Sequence, residues 1–221
     1  MIHGTYIFYD FETGSRNAHT TQPIQLAAVA IHSRKLEIIP GSEFNSMMSA
    51  LNDQDAKSKG VDIIEDGALA VNKKTREEIF AAKQPKVVWN QFVNYVNQYN
   101  YKKSKWTAPI MVGFNNNGFD DIIINRLCSE FGPFDKEYQK QNLFHPIYNF
   151  DLFKIALGWF ENSEEVTKYS MDSLRDYFAM SKDNAHDALQ DVIDGANLFI
   201  KFLSLQRSMG KRVKFKGAFA K

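Results

Sequence analysis

Residues 5–9 are β-branched and aromatic, and the run ends on two carboxylates, Asp10 and Glu12. Such a segment reads as a buried strand. Side chains alternate along a strand, so both carboxylates leave one face while Phe11 points into the opposite layer. Charge at the end of a buried strand is costly unless something binds it. The chain must therefore build a sheet that delivers this strand tip to a polar site. Oxygen ligands at i and i+2 can share a hard cation such as Mg²⁺. Asp-x-Glu recurs by chance; its value here comes from the apolar strand before it and Thr13-Gly14-Ser15 after it.

The rest of the chain supplies that sheet. Residues 23–32 (Ile24, Leu26, Val29, Ile31) read as a second strand and 35–40 as a third, joined by short turns into an antiparallel meander. Residues 52–67 are polar and are expected to form a surface loop. Thr75 with Glu78 has the capping-box pattern of a short helix. Pro85 suits the first turn of the next helix, whose Trp89, Phe92, Val93, Val96 and Tyr99 fall on one face. That spacing marks the stripe as core packing rather than a base-stacking surface. A short apolar strand is expected over 109–114, and helices over 121–130, 151–160, 171–178 and 188–205. Strands first, then strands mixed with helices, imply an α/β fold with a mixed sheet. The expected organisation is one domain over 1–205 and a basic tail over 206–221.

Composition excludes little. Of 221 residues, 44% are hydrophobic and 24% charged, ordinary for a globular chain. The single cysteine, Cys128, rules out an intrachain disulfide and sits in an apolar run as a small core residue. No apolar run reaches bilayer length and no signal peptide is read at the N-terminus, so a cytoplasmic setting is expected. The net charge of +1 says nothing about partners. Its distribution says more: residues 79–119 contain lysines (Lys83, Lys86, Lys102, Lys103, Lys105) and no acid. Either these lysines or the basic tail could touch phosphates, or simply form solvated surface.

Two further acidic motifs follow the first. Asp120 comes after the turn Asn115-Asn116-Asn117-Gly118, where Asp120 or Asp121 would also suit a helix cap. His186 precedes the last long helix, with Asp191 inside it. On a continuous helix five residues lie about 140° apart, so the two share a site only if His186 is on the incoming loop or in the first turn. Asn184 or Asp187 could cap that helix. Asp187, Asp191 and Asp194 form an acidic stripe, with Asp194 expected on the exposed face. About four carboxylates can hold a pair of divalent cations able to act on a phosphodiester, and a histidine can take a proton from the attacking water. Asp10, Glu12, Asp120, Asp191 and His186 cover those roles if they converge. No Cys/His cluster fits zinc, no phosphate loop is present and no Ser/His/Asp arrangement stands out.

Asp10-Phe11-Glu12-Thr13, Asn116-Asn117-Gly118-Phe119-Asp120 and His186-Asp187-Ala188-Leu189-Gln190-Asp191 together resemble the DEDDh group of 3′→5′ exonucleases, with the ribonuclease H-like fold. Longer stretches, such as Pro23-Ile24-Gln25-Leu26-Ala27-Ala28 and Asn184-Ala185-His186-Asp187-Ala188, are similar to the nuclease domain of bacterial exonuclease I. The resemblance implies a 3′→5′ exonuclease that degrades single-stranded DNA to 5′-mononucleotides, with an RNA- or oligonucleotide-degrading enzyme as a close variant. A catalytically silent nucleic-acid-binding module is the alternative from another class; all five site residues are present, against it. In the implied roles Asp10, Glu12, Asp120 and Asp191 bind two Mg²⁺ or Mn²⁺ ions, and His186 is the general base. Thr13 meets the terminal 3′-hydroxyl through its backbone, and Asn116 helps shape the substrate groove. Asn72 and Thr75 lie where relatives contact the terminal nucleotide, although Lys73 replaces a common glycine. Exonuclease I continues into further domains that embrace DNA, so lower processivity, or a protein partner supplying it, is also expected.

Overall fold

The computed structural model describes residues 4–181 and 187–212. In chain order the elements are β1 (Thr5–Thr13), β2 (Pro23–His32), β3 (Glu37–Ile38), β4 (Phe44–Met47), α1 (Asp53–Lys59), α2 (Asp66–Asn72), α3 (Arg76–Phe80) and α4 (Pro85–Gln98). They continue with β5 (Ile110–Gly113), a 3₁₀ turn (Asn116–Gly118), α5 (Asp120–Phe131), β6 (Phe134–Asp135), β7 (Lys140–Gln141), β8 (Asn149–Asp151), α6 (Leu152–Phe160), α7 (Met171–Tyr177) and α8 (Ala188–Arg212). The main sheet has the order β3-β2-β1-β5-β8, with β4 also paired to β2. β1 and β2 are antiparallel, whereas β5 is parallel to β1 and β8 to β5. This is the expected mixed α/β sheet flanked by helices.

Alternation in β1 sorts the two cores. Ile7, Tyr9 and Phe11 face α4 and α5, packing with Trp89, Phe92, Val96, Ile124 and Leu127. Tyr6 and Phe8 face the other layer, with Leu152, Leu174, Val192, Ala196 and Phe199 from α6, α7 and α8. The stripe on α4 is core, as its spacing predicts: Trp89, Phe92 and Val96 are buried. Cys128 is buried on the α5 side, and burial pushes its thiol up to about 12. Thr75 and Glu78 complete the capping box, and Pro85 opens α4.

Three expectations need correction. Residues 52–67 are not a plain loop: Asn52 caps α1 by accepting the Asp55 N–H, Gly60 ends it in the left-handed conformation, and α2 starts at Asp66. High polarity hid a short exposed helix with well-formed ends. The third strand shrinks to Glu37–Ile38, and β4, too polar to show alternation, takes the neighbouring stretch of β2. Helix α8 runs past Leu205 to Arg212.

Two glycines let the layers close over the strand tips. A Cβ on Gly195 would lie 2.3 Å from Phe8 Cζ, so glycine lets α8 lie directly on β1. A Cβ on Gly113 would lie 2.7 Å from Asn116 Cβ, so glycine lets the turn after β5 fold back on the strand. The β1–β2 register shifts between Glu12 and Thr13, a bulge at the point where β1 leaves the sheet.

Candidate active site

Asp10 and Glu12 extend from β1 on the face covered by α8, while Phe11 fills the opposite core. Asp120 arrives from the first turn of α5. It is not the cap: Phe119 holds that position, and Asp120 Oδ1 instead accepts the Phe11 N–H at 3.2 Å. That bond ties α5 to the tip of β1. Asp121 turns the other way. Its Oδ1 accepts from Tyr9 Oη and, at 3.0 Å, from the Asn116 amide. Asp187 caps α8, taking the Leu189 and Gln190 N–H groups at 3.1 and 3.3 Å, so Asp191 falls in the first turn, above Asp10 and Glu12.

The four acids feel one another. Burial raises Asp10 well above the usual carboxylate range, and the charges of Asp120, Glu12 and Asp191 raise it further. Burial lifts Glu12 to about 7, with Asp191 adding and Lys74 opposing. Burial likewise lifts Asp120 to about 7, against the Phe11 hydrogen bond. These shifts describe carboxylates crowded in a low-dielectric site with too little positive charge beside them.

Besides Lys74, positive charge comes from Arg175, which the sequence reading missed. Arg175 is 1% exposed, and its guanidinium meets Asp191 at 2.6 Å, Asp194 at 2.8 Å and Asp172 at 3.1 Å. Asp194 is therefore not on an exposed face; it is 6% exposed and paired inside. One arginine on a short helix left no pattern to read, and the i, i+3 spacing of Asp191 and Asp194 was the available hint.

The donor set suits hard divalent cations: carboxylate oxygens, buried and mutually repelling. As the side chains stand, no group of three or more His, Cys, Asp or Glu among the described residues is gathered tightly enough to hold an ion. Asp191 Oδ1 is engaged by Arg175 and Asp120 Oδ1 by Phe11 N–H, so each acid has one carboxylate oxygen committed to the protein.

Of the remaining expected residues, Asn72 is buried and donates its amide to the Thr13 carbonyl at 3.0 Å, so both are brought to the end of β1. Lys73, between Asn72 and Lys74, has φ 54°, the left-handed conformation that glycine adopts freely. Thr75 spends its hydroxyl and N–H on capping α3. Asn116 is fully buried and supports Asp121 rather than a surface. His186 lies outside the described residues, immediately before the cap Asp187.

The exonuclease family profile matches residues 7–199, which carry all of these acids. No curated protein sequence matches the chain. Among solved structures, Escherichia coli exonuclease I in complex with a dT13 oligonucleotide aligns with a TM-score of 0.70 at 18% identity, covering 95% of this chain and 43% of that one. A zinc-bound exonuclease I–single-stranded DNA complex gives 0.69 at 18% identity, covering 92% and 41%. Cell-death related nuclease 4 gives 0.67 at 17% identity, covering 91% and 64%. The chain thus spans less than two thirds of the length of each of these structures. On the family match across most of its length, the chain belongs to the exonuclease family.

Proposed function

We propose that this protein is a divalent-metal-dependent 3′→5′ exonuclease that hydrolyses single-stranded DNA to 5′-mononucleotides. The observation that carries the reading is the approach of Asp10, Glu12, Asp120 and Asp191 from three separate elements, where burial and neighbouring carboxylates raise Asp10, Glu12 and Asp120 above the usual carboxylate range. These four carboxylates would hold two ions, Mg²⁺ or Mn²⁺, whose bound charge activates water and stabilises the leaving oxygen of a phosphodiester. His186, which precedes the α8 cap Asp187 in sequence, would take the proton from the attacking water. Asn72 fixes the Thr13 carbonyl at 3.0 Å, which keeps the β1 end rigid where the 3′-hydroxyl would rest. The solved exonuclease I complexes with oligonucleotides support single-stranded DNA as the substrate.

The test uses 5′-labelled single-stranded DNA, duplex DNA and RNA, each with Mg²⁺ or EDTA. The expected result is a ladder descending from the 3′ end of the single-stranded DNA, absent with EDTA. A ladder on RNA alone would move the substrate to RNA. Products that form equally well in EDTA would reject the metal mechanism.

A further inference from the structure

Lys105, one of the lysines in the acid-free stretch of the sequence, finds aromatic partners on the surface. The segment between α4 and β5 and the β6–β7 hairpin meet there. Lys105 Nζ lies 5.5 Å from the Trp106 ring centroid and 6.0 Å from that of Tyr138. Lys140 Nζ lies 5.7 Å from the Tyr138 ring centroid. Trp106 packs edge-on against His145 at 6.1 Å, and His145 stacks on Tyr148 at 4.4 Å. His145 is buried and held, its Nδ1 accepting the Ile147 and Tyr148 N–H groups, so Tyr148 is placed before any ligand arrives.

These rings face solvent: Trp106 is 58% exposed, Tyr138 60% and Tyr148 44%. Apolar surface of this size, preset and flanked by cations, is not explained by the core. Glu137 is the acid at the hairpin tip; Asp135 is occupied by the turn, accepting the Glu137 and Tyr138 N–H groups. Exposed aromatic rings interleaved with lysines are what single-stranded nucleic acid needs, because bases stack on the rings and phosphates meet the ammonium groups. The patch is tied to α5. Tyr148 precedes Asn149, whose amide meets that of Asn117 at 2.9 Å and approaches Asp121 in the first turn of α5. The His145 N–H donates to the Pro109 carbonyl, which ties the patch to the entry end of β5, the strand whose other end leads through the 3₁₀ turn to Asp120.

We propose that Trp106, Tyr138 and Tyr148, with Lys105 and Lys140, form an accessory platform that holds single-stranded DNA on the 5′ side of the end being cut. The position of the cut end rests on the exonuclease reading; the platform itself is a binding surface and can be judged without hydrolysis.

The experiment is fluorescence anisotropy in EDTA, with 5′-labelled oligothymidylate of about twenty nucleotides and a dinucleotide as the short probe. Trp106→Ala with Tyr138→Ala should weaken binding of the long probe about tenfold. Lys105→Gln with Lys140→Gln should weaken it and reduce the slope of log affinity against log salt by about 1.4. Lys201→Gln, an exposed lysine on α8, serves as the charge control and should leave affinity unchanged. Circular dichroism should match wild type throughout. The platform is overturned if wild type does not bind the long probe, if both double variants bind it like wild type, or if affinity falls equally for long and short probes. It is also overturned if the variants change only the self-association of the chain, which would make the patch a protein interface. If the chain cuts 3′ ends while the variants bind normally, the platform fails and the exonuclease reading stands. If it binds through the patch and cuts nothing, the reverse holds.

Discussion

Arg175 carries its guanidinium among three aspartates while remaining 1% exposed. A buried cation of this kind is tolerated only with its partners in place. Arg175→Met should therefore cost about 3–5 kcal/mol in urea unfolding, because it strands the buried carboxylate of Asp194. Arg175→Lys should recover part of that; if both variants match wild type, the cluster is not an ion network. Asp191→Asn keeps the shape of the side chain but removes its charge and turns one acceptor oxygen into a donor. It should lower hydrolysis by more than about a hundredfold, the loss produced even by altering partners behind a metal ligand. A near-wild-type rate in Asp191→Asn would remove it from the ligand set. At this scale sequence reading was strong for Asp10 and Glu12, whose spacing on a strand dictates a shared face. It was weak for Asp120, where a capping aspartate and a site aspartate look the same until Phe11 N–H is seen to take its oxygen. It failed for Asp194, since the buried arginine that pulls it inward is far away in the chain.

The elements matter because they set where those carboxylates point. Helix α8 rests on β1 only because residue 195 lacks a Cβ. Gly195→Ala should push the helix off Phe8, costing about 1–3 kcal/mol, and should lower activity although it touches no reacting group. The measurement is thermal unfolding alongside hydrolysis; an unchanged melting temperature and rate would show that α8 position does not govern the site. The amphipathic elements, α4 and β1 above all, were legible from periodicity. The region from Asn52 to Asn72 was not, because its two short helices bury one residue each and present no apolar stripe, α1 being marked instead by its Asn52 and Gly60 caps.

For the whole molecule, the consequence of gathering four carboxylates is a fold that works against itself without cations. Glu12 and Asp120 stand near 7 when folded, against ordinary values of 4.5 and 3.8. Because the folded values are raised, the folded state binds protons more tightly, and stability is lost as pH rises from about 4 through 7. Metal-free protein should thus melt lower at about pH 8 than at about pH 5, and Glu12→Gln should flatten that difference. Added Mg²⁺ should raise the melting temperature more at the higher pH, where it no longer competes with protons. A Mg²⁺ effect that is equal at both pH values, or absent, would contradict the electrostatic account.

The most direct test is a Mn²⁺ titration followed by electron paramagnetic resonance, which reads ions bound without needing substrate. The account predicts saturable binding of about two ions per chain in wild type and loss of at least one of them in Asp10→Asn. No saturable binding in wild type, or equal binding in the variant, would contradict it.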